Sequence, residues 1–359
     1  MSNIKRFQQK LNEKGVDAAL ISSELHQRYL SGFNYTDGYI LVTQKKAYLL
    51  TDFRYIEAAE AEVSSEDFDI RMPKGMLLEM ITIMDAENVK TLLIEENIVS
   101  VAQKTLFEKK FEGVEILSGA SAILDNMREV KTQQELDTMD EAQKITDAAF
   151  AHIVKMMTPN MTEIDVALEL EFFMRRSGAE CAAFDTIAVS GSASSMPHGV
   201  PRNVKLEAGF LTMDFGARVR GYCSDMTRTV VIGKADAEIK RLYDTVLKAQ
   251  LAALDFIKEG IVCRDADKVA RDIIDNAGYK GAFGHSLGHG VGMLVHESPR
   301  LSFAAPETMT LERGHVVSVE PGIYLSGKYG CRIEDMIAID LDGKLYNFTK
   351  SPKEMIELF

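Results

Sequence analysis

The strongest constraint on how this chain can fold is a pattern it runs through twice, about 100 residues apart. In the first pass, residues 134–157 read as a long amphipathic helix, the turn TPNMTEID leads into a second helix that covers 166–176, and Gly178 ends it. In the second pass, residues 237–258 form the long helix, EGIVCRDAD the turn, 269–276 the second helix, and Gly278 the stop. Each helix pair is followed by glycine-rich segments with strand-like alternation: AAFDTIAVSGS and FLTMDFG in the first pass, GHGVG and HVVSVEPGIY in the second. The matching turn lengths point to an internal duplication. A duplicated domain can set equivalent strands around one central cleft.

Ahead of the first pass the pattern is different. VDAALIS reads as a short strand, and YILVTQKKAYLLT as two strands joined at Gln44, Lys45 and Lys46. FRYIEAAEAE after Asp52 holds good helix formers, VKTLLIEE is a buried-strand run, VSVAQKTLFEKK is helical, and VEIL adds a last strand before the weakly patterned SGASAILDN. Strands alternating with helices imply a small α/β layer, with a boundary near residues 118–130. A chain of 359 residues has room for two domains, each with its own core.

Composition narrows the partners. With 54 acidic against 41 basic residues the formal charge is −13, and there is no basic tract, so no nucleic acid partner is expected. No run reaches 18 apolar residues, so no membrane span is expected. The start, MSNIKRFQQK, lacks the apolar run of a secretory signal, and the expected location is cytoplasmic. Cys181, Cys223, Cys263 and Cys331 form no CxxC pair and read as free thiols.

The chemistry gathers in the strand-like parts of the duplicated region. Asp214 stands between apolar residues in Met213-Asp214-Phe215-Gly216, where an unpaired carboxylate is costly to bury. Asp225 follows eleven residues later, and a hairpin around residues 216–221 would bring the two onto neighbouring strands. Such a pair calls for a proton, an arginine or a cation; taken alone, it also reads as turn or salt-bridge residues. His285 and His289 have the spacing of the helical zinc motif, but Ser286 replaces its glutamate and glycines saturate the segment, so that motif is rejected. Any one of these histidines, or His296, also reads as a hydrogen-bonded core residue. Glu320, before a Pro-Gly break, and Glu334 each close or start an apolar strand. One imidazole and four carboxylates match the charge of two divalent ions if Asp225 and Glu334 each bridge both. Magnesium with phosphate chemistry would want a phosphate-cradling loop that is missing here.

The blocks FDTIAVSGSASSMPHG, DFGARVRGYCSDMTRT, GHSLGHGVGMLVHESP, VEPGIY and GCRIEDM, in that order, resemble the creatinase, prolidase and methionine aminopeptidase family (peptidase family M24B), and within it the Xaa-Pro peptidases. REVKTQQEL, from Arg128, is similar to the run that leads into the family's catalytic domain. The resemblance implies an α/β creatinase-like N-terminal domain over 1–125 and an α+β pita-bread catalytic domain with internal pseudo-two-fold duplication over 130–359. It implies dinuclear-metal-dependent hydrolysis of the bond between an N-terminal residue and a following proline, of aminopeptidase P or prolidase type. Small proline-containing peptides would be the substrates and a homodimer the assembly.

Carried over position by position, the resemblance makes Asp214 a ligand to one metal, His289 and Glu320 ligands to the other, and Asp225 and Glu334 bridges. The ions would be manganese first, with cobalt or zinc as alternatives. His198 would bind substrate and steady the tetrahedral intermediate, and His296 would contact the carbonyl beyond the scissile bond. Glu320 would also guide the nucleophile's proton to the leaving nitrogen, and Arg332 would brace the carboxylates. Asp335 falls on the opposite strand face, and His285 reads as structural support. Ser192 to Met196 and Cys331 depart from the common pattern without touching an implied ligand. Dipeptidase and aminopeptidase both stay open. The alternative is a metal-free or non-peptidase member of the fold, acting as a small-amide hydrolase or an interaction module.

Overall fold

Ala18, Ala19, Leu20 and Ile21 have no exposed surface, as a strand covered on both faces requires, and they centre the N-terminal sheet. The computed structural model describes residues 1–359 and separates into two units, Met1–Arg128 and Glu129–Phe359. The first runs α1 (Asn3–Lys14), β1 (Ala18–Ile21), α2 (Glu24–Ser31), β2 (Tyr39–Thr43), β3 (Ala47–Leu50), α3 (Ile56–Glu62), β4 (Phe68–Arg71), α4 (Met76–Ala86), β5 (Thr91–Ile94), α5 (Val101–Lys110), β6 (Glu115–Ser118) and α6 (Ala120–Glu129). Its single sheet has the order β4-β3-β2-β1-β5-β6. The β2–β3 hairpin and the β1–β2 pair are antiparallel, and the other pairs are parallel. Five elements lie outside the expectation: α1, α2 and α4, together with β4 and α6. β4 (FDIR) alternates charged and apolar residues and buries only Phe68 fully, which leaves a weak sequence signal. The stretch expected to be weakly patterned is α6, whose Ala120, Ile123, Leu124 and Met127 share one buried face.

The second unit opens with α7 (Gln133–Met156) and α8 (Glu163–Arg176), followed by β7 (Cys181–Ala182), β8 (Ile187–Ser190), β9 (Gly209–Phe215), β10 (Ala217–Val219), β11 (Tyr222–Cys223) and β12 (Met226–Ile232). Its other half holds α9 (Ala237–Phe256), α10 (Cys263–Ile274), β13 (Gly288–Gly290), β14 (Glu297–Leu301), β15 (Val316–Val319), β16 (Gly322–Leu325), β17 (Tyr329–Arg332), β18 (Asp335–Ile339), β19 (Leu345–Asn347) and β20 (Glu357–Leu358). The halves repeat one another closely. Residues 157–162 and 257–262 join the helix pairs, and Thr162 and Val262 each make one isolated antiparallel bridge, to Lys205 and Thr310. β8, β9 and β12 run antiparallel in one sheet, as β13, β15 and β18 do in the other. Thr162 and Asp165 build a capping box at α8, while Val262 offers α10 no side-chain cap, so the geometry repeats where the side chains do not.

Each half has its own apolar core, one around Phe150, Leu170 and Met213, the other around Val246, Ile274 and Val317. The sheets meet edgewise: the Glu334 amide donates to the Thr227 carbonyl at 3.1 Å, and the Cys223 amide to Gly292 at 2.8 Å. Strand ends from both halves therefore converge. No helix is long and apolar enough to cross a membrane.

Candidate metal centre

Asp214 lies at the end of β9, opposite Thr227 of β12, and Asp225 directly precedes β12. In the other half Glu320 directly follows β15 and Glu334 directly precedes β18. Two glycines let these strands close up. A Cβ on Gly216 would sit 1.9 Å from the Ser224 carbonyl oxygen, and one on Gly288 would sit 1.9 Å from that of Ser318. Gly216 and Gly288, beside the acidic and histidine blocks, thus serve contact of backbone with backbone.

Asp225, His289 and Glu334 are buried and offer ligand atoms that all lie within 4.8 Å of one another. His289 Nε2 is 3.2 Å from Glu320 Oε1 and 3.7 Å from Asp225 Oδ2. Asp214 stands beside this group, held by Arg332 Nη2 at 2.6 Å. Arg332 does not reach Glu334 directly: its Nε donates to the Thr227 hydroxyl at 3.0 Å, which in turn donates to Glu334 Oε2 at 2.6 Å. The Ser318 hydroxyl accepts from the His289 amide at 3.1 Å and donates to Glu320 at 3.2 Å. Tyr324 links Arg332 Nη1, at 2.7 Å, to His285 Nε2, at 2.9 Å.

Thr227, Ser318 and Tyr324 were not singled out from sequence. Thr227 and Ser318 stand two residues from Asp225 and Glu320, and the strand period of two was the signal that could have found them.

Asp214, Asp225, His289, Glu320, Arg332 and Glu334 line a cavity of about 770 Å³, together with His198, His285, His296 and Arg300. The His296 ring meets that of His289 edge-on, with centroids 4.2 Å apart. Arg300 lies opposite His289 on β14 and carries no ion pair. Asp335 takes no part: it is buried away from the cavity, 2.8 Å from Arg228 and 2.5 Å from Lys353, whose charges hold it below the usual carboxylate value despite its burial.

The electrostatics leave a deficit of positive charge. Burial, then repulsion from the neighbouring carboxylates, raises Asp225 and Glu334 well above their ordinary values, and Asp214 also rises. Burial also acts to raise Glu320, but the hydrogen bond and charge of His289, with His285 and Arg332, outweigh it and lower the group to about 2. Asp214 Oδ1 is buried with no hydrogen-bond donor. A cluster of carboxylates that resists full ionisation, an imidazole among them and an acceptor oxygen without a donor fit a divalent cation well.

Residues 137–340 match the family model of metallopeptidase family M24, and residues 3–130 match that of the creatinase/prolidase N-terminal domain. The chain is similar to the Xaa-Pro dipeptidase of Pyrococcus horikoshii, at 36% identity with 98% of each chain covered. Among solved structures it is similar to the Xaa-Pro dipeptidase from Bacillus anthracis, with a TM-score of 0.91, 39% identity and 99% of each chain covered. It is equally similar in shape to the X-Pro aminopeptidase from Thermotoga maritima, with a TM-score of 0.91, 35% identity and 100% of each chain covered.

Proposed function

The chain belongs to metallopeptidase family M24, and from that premise we infer that it is a metal-dependent hydrolase of the peptide bond between an N-terminal residue and a following proline. The observation that carries this is the buried cluster of Asp225, His289 and Glu334 lining the cavity, in a chain similar over nearly its whole length to Xaa-Pro dipeptidases.

We assign Asp214 to one divalent ion, His289 and Glu320 to a second, and Asp225 and Glu334 to both, with manganese favoured over cobalt and zinc. Bound there, the ions supply Lewis acidity at the scissile carbonyl and acidify a water. The remaining work belongs to side chains. Arg332 and Thr227 hold Asp214 and Glu334 in place. Glu320 takes the proton of the attacking water and passes it to the proline nitrogen, which must gain a proton to leave. His198 supports the charge that develops on the carbonyl oxygen, and His296 contacts the carbonyl beyond the scissile bond. Arg300, free of any carboxylate of its own, favours substrates whose terminal carboxylate directly follows the proline.

Reconstitution of the metal-stripped protein with manganese, cobalt or zinc, followed by rates on an Xaa-Pro dipeptide, an Xaa-Pro tripeptide and a Met-Ala peptide, tests this reading. Metal-dependent cleavage of the Xaa-Pro bond, fastest in the dipeptide, is expected. Amide hydrolysis that persists without metal would turn the reading to a metal-free small-amide hydrolase, and a folded protein that neither binds metal nor hydrolyses would turn it to an interaction module. We further propose a homodimer, testable by sedimentation velocity. Cytoplasmic residence is also proposed; four unpaired cysteines, three of them buried, suit a reducing compartment.

A further inference from the structure

Glu163, the first residue of α8, has a side chain with no exposed surface, a costly place for a charge unless donors surround it. Five do. The Ser190 amide and hydroxyl reach Oε1 at 2.7 Å and Arg202 Nη2 reaches it at 2.6 Å, while the Arg202 amide and Nε reach Oε2 at 2.9 Å. Ser190 ends β8, and between it and Arg202 runs a segment in which Pro197, His198, Gly199, Val200 and Pro201 line the cavity. One carboxylate thus ties both ends of the loop that carries His198 to the start of one helix. Glu163, Ser190 and Arg202 themselves stay out of the cavity wall.

The other half has a counterpart. Asp267 of α10, also without exposed surface, pairs with Arg271 at 2.8 Å and accepts the Leu287 amide at 2.9 Å. Arg271 donates onward to the Phe283 and His285 carbonyls at 2.7 and 2.8 Å. In each half a buried carboxylate on the short helix, paired with an arginine, holds the histidine-bearing loop.

We propose that Glu163 and Arg202 are positioning residues that set where His198 stands against the scissile carbonyl, and so govern turnover without serving metal binding. The proposal rests on the peptidase reading of the cavity and on the role given to His198 there. Planar two-point pairing with arginine fixes direction as well as distance, and a misplacement near 1 Å in a catalytic group costs about 100-fold in rate.

The test is a mutant cycle of Glu163→Gln, His198→Ala and the double variant in manganese-loaded protein, with metal content, kcat and KM measured on an Xaa-Pro dipeptide. Glu163→Gln is expected to keep its full metal content and to lose about 10- to 100-fold in kcat, with KM changed less than about threefold. The double variant should be no slower than His198→Ala alone, because a misplaced side chain that is already absent costs nothing more. Equal losses in both backgrounds, loss of metal, or an unimpaired Glu163→Gln enzyme would each overturn the clamp. An unimpaired His198→Ala enzyme would instead remove the role assigned to His198, and the clamp with it, while metal-dependent hydrolysis stood. Arg202→Lys covers the case in which Glu163→Gln fails to fold. It keeps the charge and loses the fork, so an intermediate kcat at unchanged metal content is expected, and wild-type kcat overturns the proposal.

Discussion

Arg332 is fully surrounded and touches almost every part of the site, from Asp214 to the Thr227 and Tyr324 hydroxyls and the Pro197 carbonyl at 3.4 Å. Its pairing with Asp214 has a direct consequence. Arg332→Met leaves a buried carboxylate without its counter-charge, which costs about 3–5 kcal/mol, and a bound cation should offset part of that loss. Urea unfolding with and without metal checks this: the metal-stripped variant should lose more stability than the loaded one, and equal losses would sink the idea. The proposed ligands give a sharper contrast. Asp225→Ala or Glu334→Ala should lose both metal and activity, whereas His198→Ala should keep the metal and lose turnover; metal analysis beside kinetics separates these, and an active Asp225→Ala enzyme would falsify the assignment. At this scale the carboxylates were readable because a charge inside an apolar strand demands an explanation. Thr227, Ser318 and Tyr324 were not, because hydroxyls on strands are ordinary and only the fold shows what they bond.

Among the elements, the repeated helix pair was readable from its turn lengths and stop glycines. β4 and α6 were not: the first buries little and the second hides its apolar face in a polar-looking run. The glycines of the histidine block were conspicuous in sequence, yet their purpose needed the sheet. Gly288→Ala would push a methyl group into the Ser318 carbonyl, a backbone atom that cannot swing aside. The variant should lose at least about 1–3 kcal/mol and should bind metal weakly, since His289 is the next residue. Gly284→Ala, with nothing within 4 Å of the new methyl, is the silent control. Thermal melts and metal content decide the matter, and a Gly288→Ala protein indistinguishable from the control would contradict it.

Across the whole molecule, two buried histidines, one in each unit, should answer pH with opposite sign. In the first, burial tends to lower His26, but hydrogen bonds to Asp125 and Glu95 outweigh it, even with Arg128 close by, and the group is raised. A raised histidine stabilises in its protonated form, fully below its unfolded value of about 6.5, and that contribution is lost as pH climbs through the folded value. His315 in the second unit is the reverse. Burial and then the charge of Lys131 push it down to about 4, and its Nδ1 accepts the Glu312 amide at 3.1 Å, which requires that nitrogen to be unprotonated. Its contribution is present above about 6.5 and fades as pH falls towards about 4. Hydrogen exchange read on the peptides around each histidine should show the His26 segment loosening on the alkaline side and the His315 segment on the acid side. His26→Gln should flatten the first trend and His315→Gln the second; slopes of the same sign in both segments would refute the account.

The carboxylates sit at strand ends locked by backbone contact, whereas His198 rides on a loop between β8 and β9 that is clamped at Ser190 and Arg202 and meets β17 through Ser194 and Pro197. Heritable variation therefore has unequal room. Drift or laboratory selection for a new peptide preference should accumulate changes in residues 191–201 around a retained His198 while residues 214–227 stay nearly constant, so that one ancestral hydrolytic apparatus could be passed intact through descendants with different diets.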